Sequence, residues 1–112
     1  MGRPTAQPDV FTAIAHPRRR EILALLAAED RAVRDLVEPL GLAQSTVSEH
    51  LGELRKVGLV VSRTHGRERV YSLQVRPLGE VTDWLASLDR FWTERISLLG
   101  HVLDDLETKD QT

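Results

Sequence analysis

The sequence of 112 residues contains no cysteine. It can therefore form neither the disulfide framework of a small secreted protein nor a thiolate metal site. No apolar run approaches the roughly 18 residues that a membrane-spanning helix needs. The first nine residues, MGRPTAQPD, lack the apolar core of a signal peptide. We therefore expect a cytoplasmic protein without a membrane partner, in which residues 1–8 form a flexible arm.

Aromatic residues are also scarce, at 4% of the chain, whereas 41% of the residues are hydrophobic and 29% are charged. This balance is typical of a soluble globular protein, and the length suffices for one domain with a core. The net charge of −2 does not by itself indicate a nucleic-acid-binding protein, but its distribution is uneven. Residues 1–76 hold 12 Lys/Arg and 9 Asp/Glu, a net +3, and residues 77–112 hold 3 and 8, a net −5. This split indicates that one part faces a polyanion while the other has a different role.

Apolar spacing predicts two helices at the start of the ordered part. The apolar face of the first holds Val10, Phe11 and Ile14. Pro17 suits the first position of the second helix, with His16 as its cap. The apolar face of this second helix holds Ile22, Leu23 and Leu26.

A third helix, a fourth helix and a hairpin follow. The stretch RAVRDLVEPLG predicts a short helix that Pro39 kinks or ends, because proline lacks a backbone donor. Gly41 then permits a tight turn before a fourth helix from about Gln44 to Val57. The apolar residues of this fourth helix are Val47, Leu51 and Leu54. The segments LVVSRT and RVYSLQ predict two strands, with Gly66 at the tip of the hairpin.

The last part of the chain, from Pro77, carries one wide apolar stripe. Its apolar residues recur at steps of three and four from Val81 to Leu106. One helix of about 30 residues would be about 45 Å long, longer than a domain of this size needs. We therefore predict a dimerisation helix over residues 77–107, followed by a tail at 108–112. The predicted interface residues are Trp84, Leu85, Leu88, Trp92, Leu99 and Leu103.

The order of elements predicts a winged helix-turn-helix domain over residues 9–76. Two helices joined by a short glycine-containing turn form a helix-turn-helix, and the hairpin adds the wing. The predicted fold class is thus mostly α with a small β-hairpin (α+β), with a long C-terminal dimerisation helix. In such a motif the second helix lies in the major groove, with its N-terminal residues at the base edges. This explains why small polar residues crowd the start of the fourth helix, where a single cap would suffice.

Three blocks of the chain resemble successive segments of the ArsR/SmtB family of bacterial transcriptional repressors. The blocks are AIAHPRRREILALLA, LGLAQSTVSEHLGELRKVGLV and RTHGRERVYSL, and they cover about residues 10–75. The tail from Pro77 is similar to the Trp-rich C-terminal helix of members that lack a metal sensor. The resemblance implies a homodimer that represses promoters by binding a near-palindromic operator in double-stranded DNA. The matching positions imply the DNA-binding residues Gln44, Ser45, Thr46, Ser48, His50 and, at the wing tip, Arg67.

Two residues depart from the family's pattern. Ala43 stands where serine often precedes the recognition helix, so the side-chain cap is missing or shifted to a neighbour. Glu49 stands where a basic residue is common in some members. We include Glu49 among the DNA-binding residues, although its charge would repel phosphate unless it contacts a cytosine or pairs with an arginine.

The metal sites of the family are incomplete in this chain. One of them uses paired cysteines on the third helix, where this sequence has AVRDL. Another uses Asp and His two residues apart on the last helix, followed by His and an acid. His101 and Asp104 could supply the later pair, but Arg90 and Leu88 stand where the first pair would be. We therefore predict no metal and no cofactor, and any regulation would come through an unknown organic effector, a partner protein or the amount of repressor.

Alternatives remain open for several of these features. Residues 18–20, RRR, form either a solvated face with internal ion pairs or a phosphate contact. His50 is either a half-buried structural residue or a DNA contact, and His65 and Glu68 are expected to be exposed loop residues. The alternative function is a winged-helix adaptor that binds protein instead of DNA. An enzyme is not expected, because Ser48 and His50, two apart on a helix, point about 200° apart and cannot share a proton.

Overall fold

A computed structural model describes residues 9–110, apart from the side chains of residues 90–93, 96 and 107–110. The chain divides into two compact units, one ending at Val81 and one beginning at Thr82. The helices and strands, in chain order, are α1 (Val10–Ile14), α2 (Pro17–Ala28), β1 (Arg31–Ala32), α3 (Arg34–Leu40), α4 (Gln44–Lys56), β2 (Val60–His65), β3 (Glu68–Leu73), a 3-10 helix (Arg76–Leu78), α5 (Gly79–Ser87) and α6 (Asp89–Asp110). The predicted fold class, mostly α with a small β-hairpin in a winged helix-turn-helix, is confirmed.

The core of the first unit consists of the apolar faces of the helices together with the start of the wing. Its fully buried large side chains are Ile22, Leu36, Val47, Leu51, Leu54, Leu59 and Val60. The prediction for α1 was wrong in one residue, because Phe11 is 38% exposed and Ala13 is buried in its place. Ala13 is three residues after Val10 and shares its side of the helix, whereas Phe11 is rotated by about 100°.

The caps and turns of the first unit follow the predicted residue types. His16 caps α2, because its Nδ1 accepts a hydrogen bond of 3.1 Å from the backbone N–H of Arg18, and Pro17 follows as the first helical residue. Gly41 ends α3 in the left-handed conformation, at φ 64°. Pro39 lies inside the last turn of α3, so the helix ends one residue after it. These local signals place α3 and α4 on either side of a short turn.

The wing is a three-stranded antiparallel sheet with β3 between β1 and β2. In the hairpin, His65 pairs with Glu68, which leaves Gly66 and Arg67 as a two-residue turn. Gly66 has a φ of 65°, as the first central residue of a type II′ hairpin turn requires. The strand β1 was missed, since residues 31–33 were predicted as the start of the third helix. Arg31 and Ala32 instead extend and pair with Tyr71 and Val70 of β3.

The second unit carries the C-terminal apolar residues on two helices, so the prediction of one continuous helix was wrong. The hydroxyl of Ser87 donates to the carbonyl of Trp84 at 2.6 Å, and the N–H of Leu88 donates to the carbonyl of Leu85 at 3.1 Å. The backbone bond of Leu88 reaches back three residues instead of four, so the chain forms a tighter turn there and α5 ends. The new helix then begins at Asp89, whose charge favours a helix start.

Large apolar side chains of this C-terminal part are exposed. The exposed fraction lies between 41% and 62% for each of Trp84, Leu85, Leu88, Leu98, Leu99, Val102, Leu103 and Leu106. The side chain of Trp92, which was predicted at the dimer interface, lies outside those that the structure describes. Within the described chain, no helix combines the length and apolar character that crossing a membrane requires.

Candidate nucleic-acid interface

The start of α4 presents unpaired backbone donors. Ala43 precedes the helix in an extended conformation, and no side chain caps the helix there. The cap was predicted to be missing or shifted to a neighbour, and among the described side chains none caps α4. The first N–H groups of an α-helix have no partner within the helix, and they attract anions such as phosphate.

The residues predicted to contact DNA lie on two different parts of α4. Its buried face consists of Val47, Leu51 and Leu54, which are fully buried. The exposed residues among those predicted are Gln44, Ser45, Ser48 and Glu49. Thr46 and His50 are half-buried at the edge of this surface. The structure thus brings four of the six predicted α4 residues onto one open, polar surface.

His50 connects the recognition helix to the start of α2. The Nε–H of Arg19 donates to Nδ1 of His50 at 3.3 Å, and the rings of His16 and His50 lie 4.5 Å apart, tilted by 53°. Burial lowers the pKa of His50, and the nearby His16 and Arg19 lower it further, while Glu49 opposes them. These contacts favour the structural alternative for His50, in which it holds α4 against α2.

The three arginines at the start of α2 bind the ends of other helices. Arg18 donates to the carbonyl of Leu40 at 3.2 Å and also pairs with the half-exposed Glu21 at 3.0 Å. The carbonyls of Ala13 and Ile14 accept from Arg19 and Arg20, at 3.4 and 2.8 Å. All three carbonyls lie in the last turns of α1 and α3, where backbone acceptors lack helical partners and cations are favoured. Of the two alternatives for residues 18–20, the contacts therefore support the one in which these arginines pair within the protein.

Two ion pairs attach the wing to the body of the first unit. Arg63 donates to Asp30 at 2.8 Å and to the hydroxyl of Ser72 at 2.9 Å. Hydrogen bonds from the side chains of Arg63 and Ser72 to the carboxylate lower the pKa of Asp30. Arg34, at the start of α3, pairs with Glu68 at 2.7 Å. The prediction that Glu68 is an exposed loop residue was wrong, since it lies in β3, half-buried, beside α3.

The tip of the wing carries one available cation. Arg67 follows Gly66 in the hairpin turn and is exposed. Arg69 donates to the hydroxyl of Ser62 at 3.2 Å, and Arg63 is engaged with Asp30. Among the side chains that the structure describes, Arg67 has no hydrogen-bond or ion-pair partner. Its guanidinium is therefore exposed and, within the described part of the chain, not engaged by another group.

The sequence and the fold are similar to those of known regulators. The family described as bacterial regulatory protein, arsR family, matches residues 16–62. An HTH-type transcriptional regulator of Mycobacterium tuberculosis is 35% identical over 98 residues, which cover 87% of this chain and 89% of that protein. The chain belongs to the ArsR family. This ArsR-family chain is accordingly a DNA-binding transcriptional regulator and not an enzyme.

Two further similarities extend over most of the chain. The transcriptional repressor SdpR of Bacillus subtilis is 31% identical over 77 residues, covering 69% of this chain and 86% of that protein. The solved structure of an ArsR-like transcriptional regulator from Rhodococcus is 28% identical and covers 83% of this chain and 88% of that one, with a TM-score of 0.64.

In the described part of the present chain, no three His, Asp or Glu side chains come together as a metal-ligand group. Independence from metal stays a prediction.

Proposed function

We propose that this ArsR-family regulator is a homodimeric repressor that binds a near-palindromic operator and responds to no metal. The observation that carries the proposal is the open polar surface of α4, with uncapped backbone donors at its start. Arg67, at the tip of the wing that follows α4, is exposed and has no partner among the described side chains. Small polar side chains allow a helix to approach base edges closely. A cation on an adjacent hairpin adds a contact to the negatively charged backbone.

The exposed residues divide into two groups by their chemistry. The amide of Gln44 can pair with both acceptor and donor groups of adenine, and Ser45 and Ser48 can bond to bases or phosphates. Glu49 can accept a hydrogen bond from cytosine. Arg67 carries a long cation and is assigned to phosphate or the minor groove. Thr46 and His50 are proposed at the edge of the interface, where the side chain of His50 serves mainly to orient α4.

The apolar surface of the C-terminal helices supports the homodimer. Eight large apolar side chains, from Trp84 to Leu106, are each at least 41% exposed. A soluble monomer rarely exposes so many apolar side chains within so short a segment, and such patches mark association surfaces. Two recognition helices must also be linked to contact two operator half-sites about one helical turn apart. We therefore assign Trp84, Leu85, Leu88, Leu99 and Leu103 to the dimer interface. Trp92, whose side chain lies outside those described, is assigned there from the sequence alone.

Selection of duplexes from a randomised library by the full-length protein tests this proposal. The expected product is a set of duplexes with two inverted half-sites, which the protein shifts in an electrophoretic assay. Sedimentation at micromolar concentration should show two chains, and a duplex that lacks either one of the two half-sites should bind more weakly than the intact one. Failure to enrich any duplex would favour the alternative function, a winged-helix adaptor for another protein. When a selected operator is placed at a reporter promoter, the protein should lower transcription from it, as a repressor does.

A further inference from the structure

Gly52 occupies the middle of α4, where glycine is unfavourable. Glycine loses more backbone freedom in a helix than alanine does, so it is a poor residue for a helix interior. Gly41, Gly58 and Gly66 of the same unit have positive φ angles, which explain glycine at those three positions. Gly52 has no such angle, and a Cβ added to it would meet nothing within 4 Å. Nothing in the described chain therefore requires glycine here, and alanine would fit and strengthen the helix.

The position of Gly52 places it on the outward surface of α4. It follows Ser48 by four residues and Ser45 by seven, so the three lie on one side of the helix, and all three are exposed. Along the axis, Gly52 is eight residues beyond Gln44, which is about 12 Å at 1.5 Å per residue. The major groove of B-DNA is about 12 Å wide. With Gln44 at the base edges, Gly52 thus reaches the wall of the groove, where the sugar–phosphate backbone stands.

The charges around Gly52 suit a backbone contact at this level. Lys56 lies one turn further along the same side, and its ammonium is 3.0 Å from the carboxylate of Glu53. The side chains of Lys56 and Glu53 are 58% and 43% exposed. A surface pair of this kind contributes little to stability, so Lys56 can turn to a phosphate at small cost. Glu49 lies one turn before Gly52, on the side of the base edges. Along the outward surface of α4, side chains that can bond to bases are therefore followed by a cation that can bind phosphate. Gly52 lies between the two.

We propose that Gly52 is a positioning residue for operator binding, because its missing side chain lets the sugar–phosphate backbone pack directly against α4. The inference rests on the proposed DNA-binding function and adds to it the position where helix and backbone approach most closely. A methyl group at residue 52 would hold the helix away from the groove wall. Gln44 and Ser48 would then lose contact with the bases, although neither residue had been changed.

The test compares Gly52→Ala and Gly52→Leu with the wild type in the full-length protein. The DNA probe is the duplex that the wild type selects from a randomised library. Gly52→Ala should raise Tm by about 4 °C, because alanine favours the helix. It should nevertheless weaken binding about tenfold, and Gly52→Leu should weaken it further. Ala27→Gly, at an exposed position of α2, is the matched control, since it should lower Tm and leave the affinity unchanged.

Each result bears on a different part of the inference. Opposite changes of Tm and affinity in Gly52→Ala support a contact with DNA, because a purely structural glycine would move both in the same direction. Unchanged or tighter binding by Gly52→Ala would overturn the role of Gly52 and leave the proposed repressor function intact. A lowered Tm in that variant would overturn it as well, since the glycine would then serve the fold. If the wild type selects no duplex at all, the proposed function itself fails.

Discussion

A substitution of Arg67 at the wing tip tests whether this residue contacts phosphate while the residues of α4 contact bases. Arg67→Ala removes an exposed guanidinium that has no partner among the described side chains, so we expect the free energy of unfolding to change little. Each phosphate that a protein neutralises on B-DNA contributes about −0.9 to the slope of log affinity against log salt concentration. A homodimer carries two copies of Arg67, and the variant should therefore have a slope that is flatter by about 1.8.

This difference in slope converts into a measurable difference in affinity. Between 50 and 200 mM salt the concentration rises fourfold, so wild-type affinity should fall about twelvefold more than that of Arg67→Ala. The loss should be similar on operator and scrambled duplexes, because phosphate contacts carry little sequence information. Gln44→Ala and Ser48→Ala should instead cost roughly 1–3 kcal/mol on the operator and little on scrambled DNA. Their salt slopes should match that of the wild type.

Fluorescence anisotropy with labelled operator and scrambled duplexes at several salt concentrations provides both quantities. Arg67→Lys is the matched control, because it keeps the charge and should keep the slope. A slope for Arg67→Ala equal to that of the wild type would show that Arg67 does not contact phosphate. If Arg67→Ala changed the base preference while Gln44→Ala and Ser48→Ala changed only the slope, the two assignments would have to be exchanged.

Three further predictions concern the dimer, the effector and pH. Leu99→Asp should weaken self-association and operator binding together, as followed by sedimentation and band shift; a monomeric wild type at micromolar concentration would contradict this. Zinc, cadmium, nickel and arsenite should leave operator affinity unchanged, and a tenfold loss with a stoichiometric metal would refute metal independence. Because the fold lowers the pKa of His50, the unfolded chain takes up its proton first as the pH falls below about 6.5. The free energy of unfolding should therefore decrease below that pH. The decrease should be smaller in His50→Gln than in the control variant His65→Gln. Denaturant titrations between pH 5 and 8 measure both.

Much of the first unit could be predicted because its signals are local. The buried face of α4 depends on three apolar residues spaced by four and three, so Val47, Leu51 and Leu54 were identified from the sequence. The cap at His16 and the turn at Gly41 depend on residues within two positions of the helix end. The exposed positions of α4 follow from the same periodicity, so most of the candidate surface could be placed before the fold was known.

Other features could not be predicted because their partners are distant in the chain. The sequence around Arg31 has the composition of a helix start, and only pairing with Tyr71, forty residues later, makes it a strand. The pairing of Glu68 with Arg34 likewise joins the wing to the start of α3. In the C-terminal part, apolar residues keep their helical spacing through Leu88. Periodicity alone therefore cannot reveal that α5 ends at Ser87 and a new helix begins at Asp89.

The amino-acid sequence by itself determined which residues form the recognition helix and which side of it stays polar, since helical periodicity acts over one or two turns. The tertiary structure decided which charged groups are already engaged. Arg18, Arg19 and Arg20 have the same side chain as Arg67, yet their guanidinium groups bind carbonyls at the ends of α1 and α3. Arg67 lies at the tip of the hairpin, where no described side chain forms a hydrogen bond or an ion pair with it. Whether an arginine is free for DNA depends on the acceptors that folding brings within about 3 Å of it, and those acceptors are set by long-range packing.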